Sequence, residues 1–150
     1  MKIFIDSSLL IAYEKQAQSE LFEALRDSYH ELYINILVAS EYIYRLIGIL
    51  AGKSPMSVCE SKQIKEVLDK HDTTLFLSPL NLLQIPSEAV PLGLDFMKKY
   101  NLLPNDAFIL ATCKLQGVAV VASFDSDFKE ACVQEGIILI TQASELKLLK

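Results

Sequence analysis

The chain is predicted to fold as a three-layer α/β/α sandwich, an α/β domain built on a mainly parallel central sheet of about five strands. Three observations predict it. Strand-like and helix-like segments alternate along the sequence. The strand-like runs are continuously apolar, as in Val118-Ala119-Val120-Val121-Ala122, which suits strands covered on both faces. No repeat, low-complexity tract or linker divides the 150 residues, so one domain, 1–150, is expected.

The elements follow in order. Lys2-Ile3-Phe4-Ile5 reads as a short buried strand, and Leu9 to Ala12 as a helical turn. From Ser19 to Tyr29, the apolar residues Leu21, Phe22, Leu25 and Tyr29 recur at helical spacing. Leu32 to Val38, rich in Ile and Tyr, is the second strand. Ser40 caps a helix that runs to Ala51 and ends at Gly52. Pro55 and Ser57 open another helix to Lys70. The apolar stretch from Leu75 is broken by Pro79 and Asn81, which leaves Leu82 to Ile85 as a strand. Pro86 and Ser87 start a helix to Tyr100, and Pro104 and Asn105 start the next, to Gln116, closed by Gly117. Residues 118–123 are the clearest strand. A short helix from Phe128 to Gln134 ends at Gly136, Ile137 to Ile140 is the last strand, and Ala143 to Leu149 forms a terminal helical turn or two.

Composition narrows the function. Hydrophobic residues make up 51% of the chain, enough for a sizeable core. The formal net charge of −5 argues against broad electrostatic attraction to nucleic acid, but not against a nuclease whose acids hold metal. No apolar stretch approaches the ~20 residues of a membrane helix, and the N-terminus enters a strand with no cleavage pattern. Cys59, Cys113 and Cys132 are odd in number and lack metal-ligand spacing. A reducing, cytoplasmic setting is expected. His30 and His71 have no partner at ligand spacing and are assigned no role.

The chemistry-bearing pattern is a set of carboxylates at element edges. Asp6 ends the first strand, Asp125 follows the fourth, and Glu41 and Asp106 stand where helices are expected to begin, with Asp127 beside Asp125. In open parallel sheets ligands bind beyond the carboxyl ends of the strands, and helices that return antiparallel to the strands begin at that same edge. The acids should therefore converge. Taken singly, each also fits a simpler role as a helix-start acid facing the helix dipole. Glu41 could pair with Arg45 at i+4, and Asp127 could cap the helix after it. Taken together, they would repel one another unless a hard divalent cation or protons intervene.

Four segments resemble the PIN-domain family. They are Ile5-Asp6-Ser7-Ser8-Leu9-Leu10, Ser40-Glu41 with Tyr42 to Leu46 behind it, Leu103-Pro104-Asn105-Asp106-Ala107 with its apolar helix, and Ser123-Phe124-Asp125-Ser126-Asp127-Phe128. They occur in order and cover nearly the whole chain, and the compact size is most similar to VapC-type toxins. Ser8 stands where many relatives carry Asn, and Ser123 where Thr is usual.

The resemblance implies a PIN-like fold and a metal-dependent endoribonuclease. Asp6, Glu41, Asp106 and Asp125 would hold Mg²⁺ or Mn²⁺, with Asp127 assisting, and Ser7 and Ser123 would orient carboxylates or touch the scissile phosphate. It also implies an RNA substrate, an antitoxin protein as a partner, and a homodimer. The helix from Ser40 to Leu50 is apolar on most faces, which fits either a dimer interface or burial under the helix that follows. Lys98, Lys99 and Lys129 fit either phosphate contact at the mouth of the site or solvated helix ends. The rival readings are a PIN-like module that binds RNA or protein without cutting, and a phosphoacceptor receiver domain. The latter would want paired acids after the first strand, where this chain has Asp6-Ser7. No Gly-x-Gly-x-x-Gly follows any strand, which excludes a dinucleotide fingerprint.

Overall fold

The computed structural model describes residues 1–149, and Lys150, the last residue of the expected domain, lies outside them. Strand β1 (Lys2–Ile5) is followed by helices α1 (Ser7–Glu14) and α2 (Glu20–Arg26). Strand β2 (Glu31–Ile34) leads into α3 (Ile36–Ala51), then the short helices α4 (Pro55–Glu60), α5 (Ile64–Leu68) and α6 (Thr73–Leu77). Edge strand β3 (Asn81–Leu82) precedes α7 (Ala89–Tyr100) and α8 (Pro104–Leu115). Strand β4 (Val120–Ala122), helix α9 (Phe128–Glu135) and strand β5 (Ile138–Ile140) follow, and a 3-10 helix (Ala143–Leu148) closes the chain.

All five strands are parallel, in the order β3-β2-β1-β4-β5. Successive strand residues point to opposite faces. Ile3, Phe4 and Ile5 are nonetheless all fully buried, and so are Val120, Val121 and Ala122, so helices must cover both faces of the sheet. This is the expected three-layer α/β/α architecture. A satellite core of Ile47, Val58 and Val67 seats α4 and α5 on α3. Cys113 and Cys132 are buried in the main core, where desolvation holds both thiols well above the usual range.

Several boundaries differ from the sequence reading. The second strand ends at Ile34, and Ile36-Leu37-Val38 form the first turn of α3. The cap of that helix is Asn35, whose Oδ1 accepts from Val38 N at 3.1 Å, and not Ser40. A short apolar run does not distinguish strand from helix by periodicity, and a cap five residues upstream decides it. At the far end Gly52 takes a left-handed φ of 64° and donates to Gly48 O, as a helix-ending glycine does.

The helix expected over 57–70 is two helices. Lys62 adopts φ 57°, and the Ser61 hydroxyl bonds Ser57 O, which competes with helix continuation. Asp72 caps a further helix, α6, in a stretch without a clear sequence pattern, accepting from Leu75 N at 3.0 Å. The third strand is Asn81–Leu82 rather than Leu82 to Ile85, although Leu83 N still bonds Ile34 O at 2.7 Å. The turn read at Leu9 to Ala12 is a full helix from Ser7. Helix α2 stops at Arg26, and Tyr29 is exposed beyond it. Tyr42 of α3 is fully buried, with its hydroxyl donated to Glu14 Oε1 at 2.6 Å.

Candidate active site

The strand order reverses between β1 and β4, and the crevice at their carboxyl ends is where an open parallel sheet binds its ligands. Asp6 leaves β1 and Ser123 leaves β4 at this point. The ladder extends one step beyond the strands through Asp6 N to Ala122 O at 3.0 Å. Asp6 caps α1 and is almost fully buried.

One oxygen of Asp6 is fully engaged. Its Oδ2 accepts from Ser8 Oγ at 2.6 Å, Ser8 N at 3.2 Å and Ser123 Oγ at 2.8 Å. Ser8 Oγ also accepts from Phe124 N at 3.0 Å, and Ser123 Oγ accepts from Asp125 N at 3.0 Å. The two serines thus tie the loop after β4 to the start of α1. Among the described residues none donates to Asp6 Oδ1, so that atom is free for a ligand.

Glu41, Asp106 and Asp125 line the same cavity as Asp6, a cleft of about 420 Å³. Asp106 stands in the first turn of α8, half-buried. Glu41 is the sixth residue of α3 rather than a helix-start acid, because the helix begins at Ile36. Carboxylate oxygens of Asp106, Asp125 and Asp127 lie within 4.8 Å of one another, which makes these three the tightest group. Asp127 N donates to Asp125 Oδ1 at 2.9 Å, which sets the turn that aims the pair.

The charges interact strongly. The Asp106 carboxyl is raised from 3.8 to about 7, first by burial and then by the negative charges of Asp125, Asp6, Glu41 and Asp127. Asp125, Asp6, Glu41 and Asp127 thus all stand close enough to bear on the charge of Asp106. The simpler roles fare unevenly. Asp6 and Asp106 do occupy helix starts. Asp127 stands at the cap position of α9 but makes no side-chain capping bond. Among the described residues no ion pair joins Glu41 to Arg45.

Of the supporting residues, Ser123 makes the contacts described. Ser7 is buried and lines the cleft, but no described side-chain hydrogen bond involves it. Ser8, noted from the sequence only as standing where many relatives carry Asn, is a further site residue. Its bond to Asp6 is local, but its contacts to Ser123 and Phe124 lie too far along the chain for a local pattern to reveal. Lys15 and Arg45 also line the cleft. Lys99 is held by Glu135 at 3.1 Å and Lys129 borders an adjoining cavity with Asp127, whereas Lys98 is exposed in the last turn of α7. His71 pairs with Glu14 at 3.0 Å, a structural contact beneath α6.

A family model described as PIN domain matches residues 3–134. The chain is similar to Ribonuclease VapC2 of Methanocaldococcus jannaschii, 34% identical over 130 residues that cover 85% of this chain and 87% of that protein. It is also similar to Ribonuclease VapC6 of the same organism, 32% identical over 140 residues, or 85% of this chain and 91% of that protein. Among solved structures, a chain of a toxin-antitoxin complex from Klebsiella pneumoniae aligns with a TM-score of 0.61 at 19% identity, covering 93% of this chain and 96% of that one. At that identity the likeness speaks for the fold alone.

Proposed function

This chain belongs to the PIN domain family, and from that premise we propose that it is a divalent-metal-dependent endoribonuclease, the toxin of a toxin–antitoxin pair. The observation that carries the proposal is the convergence of Asp6, Glu41, Asp106 and Asp125 on one cleft at the switch point, with Asp127 against Asp106 and Asp125. The donor set fits Mg²⁺ or Mn²⁺. It is all carboxylate oxygen, and Mg²⁺ keeps several of its waters, so a few carboxylates suffice. Burial and the neighbouring carboxylates raise Asp106, a penalty on its charge that a cation would relieve.

When bound, such a cation supplies the acidity that makes water a nucleophile near neutral pH and the positive charge that meets a phosphate. The protein's own part is positional. Ser8 and Ser123 hold Asp6 by one oxygen and leave the other for the ion. The Asp127 amide fixes Asp125 in the same way. Orientation of this kind around a metal ligand is worth about 10- to 100-fold in affinity or activity.

The test is RNA cleavage by the purified chain with Mn²⁺ or Mg²⁺, beside Asp6→Asn. Asparagine preserves the shape and removes the charge, so the variant should stay folded and lose cleavage. Wild-type rates from that variant would overturn the assignment.

The partners follow from the same reading. An antitoxin that places an Arg guanidinium in the cleft would find a bidentate carboxylate fork. A homodimer is proposed as the working form, and a monomer mass at all micromolar concentrations in sedimentation would exclude it. Three cysteines without a disulfide suit a reducing cytoplasm.

A further inference from the structure

A second groove, of about 360 Å³, adjoins the acidic cleft. Lys15, Tyr44, Arg45, Gly48 and Lys53 line it, and no acidic residue does. Lys15 and Arg45 line both the groove and the cleft, so the two are continuous. On a chain with a net charge of −5, a groove lined by three cations and no acid is a local reversal of sign, even though Lys15 and Arg45 also border the carboxylates of the cleft. Among the described residues none of the three enters an ion pair. Lys53 Nζ meets only neutral oxygens, Ser61 Oγ at 3.2 Å and Gln63 Oε1 at 2.6 Å, so its charge is uncompensated.

Helix α3 sets this layout. Glu41, Tyr44, Arg45 and Gly48 stand at i, i+3, i+4 and i+7, which places them on one face. That face leads from the acidic cleft to Gly48, a span of about 10 Å at 1.5 Å per residue. A cleft of carboxylates does not itself attract a polyanion, but cations along its exit do. Tyr44 is 54% exposed beside them, although tyrosine is a large apolar body that usually finds cover.

We propose that this groove is the track for single-stranded RNA flanking the scissile bond, with Lys15, Arg45 and Lys53 on its phosphates and Tyr44 stacked on an unpaired base. The proposal rests on the ribonuclease reading and adds the residues of this chain that would grip the strand beyond the reacting phosphate. A stacked base must be unpaired, so single strands are favoured over duplexes.

The experiment is fluorescence polarisation of a short labelled oligouridine with the full chain in EDTA. Each phosphate contact on a single strand contributes a slope of about −0.7 in log affinity against log salt, or roughly fivefold at about 0.1 M salt. Arg45→Gln and Lys53→Gln should each weaken binding by about that factor and flatten the slope by about 0.7. Tyr44→Ala should weaken it at least about fivefold and leave the slope unchanged. Lys2→Gln, the same charge change at the amino end of β1, should alter neither. Groove variants that bind like the wild type would overturn the proposal. So would an oligouridine that fails to bind while an oligoglutamate peptide binds through the same residues. Cleavage of RNA by the wild type with Mn²⁺, measured alongside, separates the two readings. Cleavage with indifferent groove variants overturns the track alone, whereas groove-dependent binding without cleavage overturns the ribonuclease reading and leaves the track standing.

Discussion

Replacing Asp106 with Asn should make the metal-free protein more stable while removing its activity. Asp106 is half-buried among four other carboxylates and is raised from 3.8 to about 7. The folded chain therefore holds a proton that the unfolded chain releases between pH about 4 and about 7. Stability falls as pH rises through that window and is lowest above it. At about 1.4 kcal/mol for each tenfold change in proton affinity, the full penalty above pH 7 is roughly 4 kcal/mol. Salt screening reduces it, and an acid in the first turn of α8 recovers ~0.3–1 kcal/mol from the helix dipole, which asparagine loses. The penalty from burial and repulsion is the larger effect, so Asp106→Asn should gain about 1–3 kcal/mol near pH 8 and almost nothing near pH 4. Urea unfolding in EDTA at several pH values measures this directly. Adding Mn²⁺ should reverse the order, because the wild type alone gains stability from the ion. A variant no more stable than the wild type near pH 8, or an identical pH dependence in both proteins, would refute the reasoning.

Other perturbations have equally definite outcomes. Ser8→Ala removes a donor to Asp6 Oδ2 and the acceptor of Phe124 N, so RNA cleavage should slow about 10- to 100-fold, with ~1–2 kcal/mol lost in urea melts. Glu135 is gripped by Lys114, Tyr100 and Lys99, and its carboxyl is held down at about 2. Its contribution is present above pH about 4.5 and lost as pH falls toward 2, so Glu135→Gln should cost about 1–3 kcal/mol at neutral pH and almost nothing at the acid end. Gly93→Ala would drive a Cβ into the Phe108 ring between α7 and α8, and the forced repacking should lower stability by about 1–3 kcal/mol without changing the metal affinity measured by titration.

Much of the site was legible because strand ends and helix starts have local signatures. Asp6 and Asp125 follow apolar runs, so their edge placement needs only chain direction, whereas Asp106, two residues after Pro104, also needs its helix to return antiparallel to the strands. Glu41 lines the same cleft by a different route. It sits in the second turn of α3 because Asn35, not Ser40, is the cap, and the apolar Ile36-Leu37-Val38 fits strand or helix equally well. The segment from Pro55 to Ile85 was least legible. Its helices are five or six residues long, below the length at which an amphipathic stripe can be read, and its breaks depend on a left-handed Lys62 and on caps from Ser54 and Asp72. Ser8 illustrates a different limit. Beyond its local bond to Asp6, it contacts Ser123 and Phe124 only when β1 and β4 are adjacent, and strand order is not written in any local pattern.

The most direct measurement follows Mn²⁺ occupancy and RNA cleavage rate on the same samples near pH 8, for the wild type and Asp125→Asn. If the carboxylates at the switch point hold the ion that drives hydrolysis, the wild-type rate should rise along the same curve as occupancy. Asp125→Asn should then lose both together. Cleavage that persists in EDTA, or an Asp125→Asn variant that cuts RNA at the wild-type rate without binding Mn²⁺, would contradict that account.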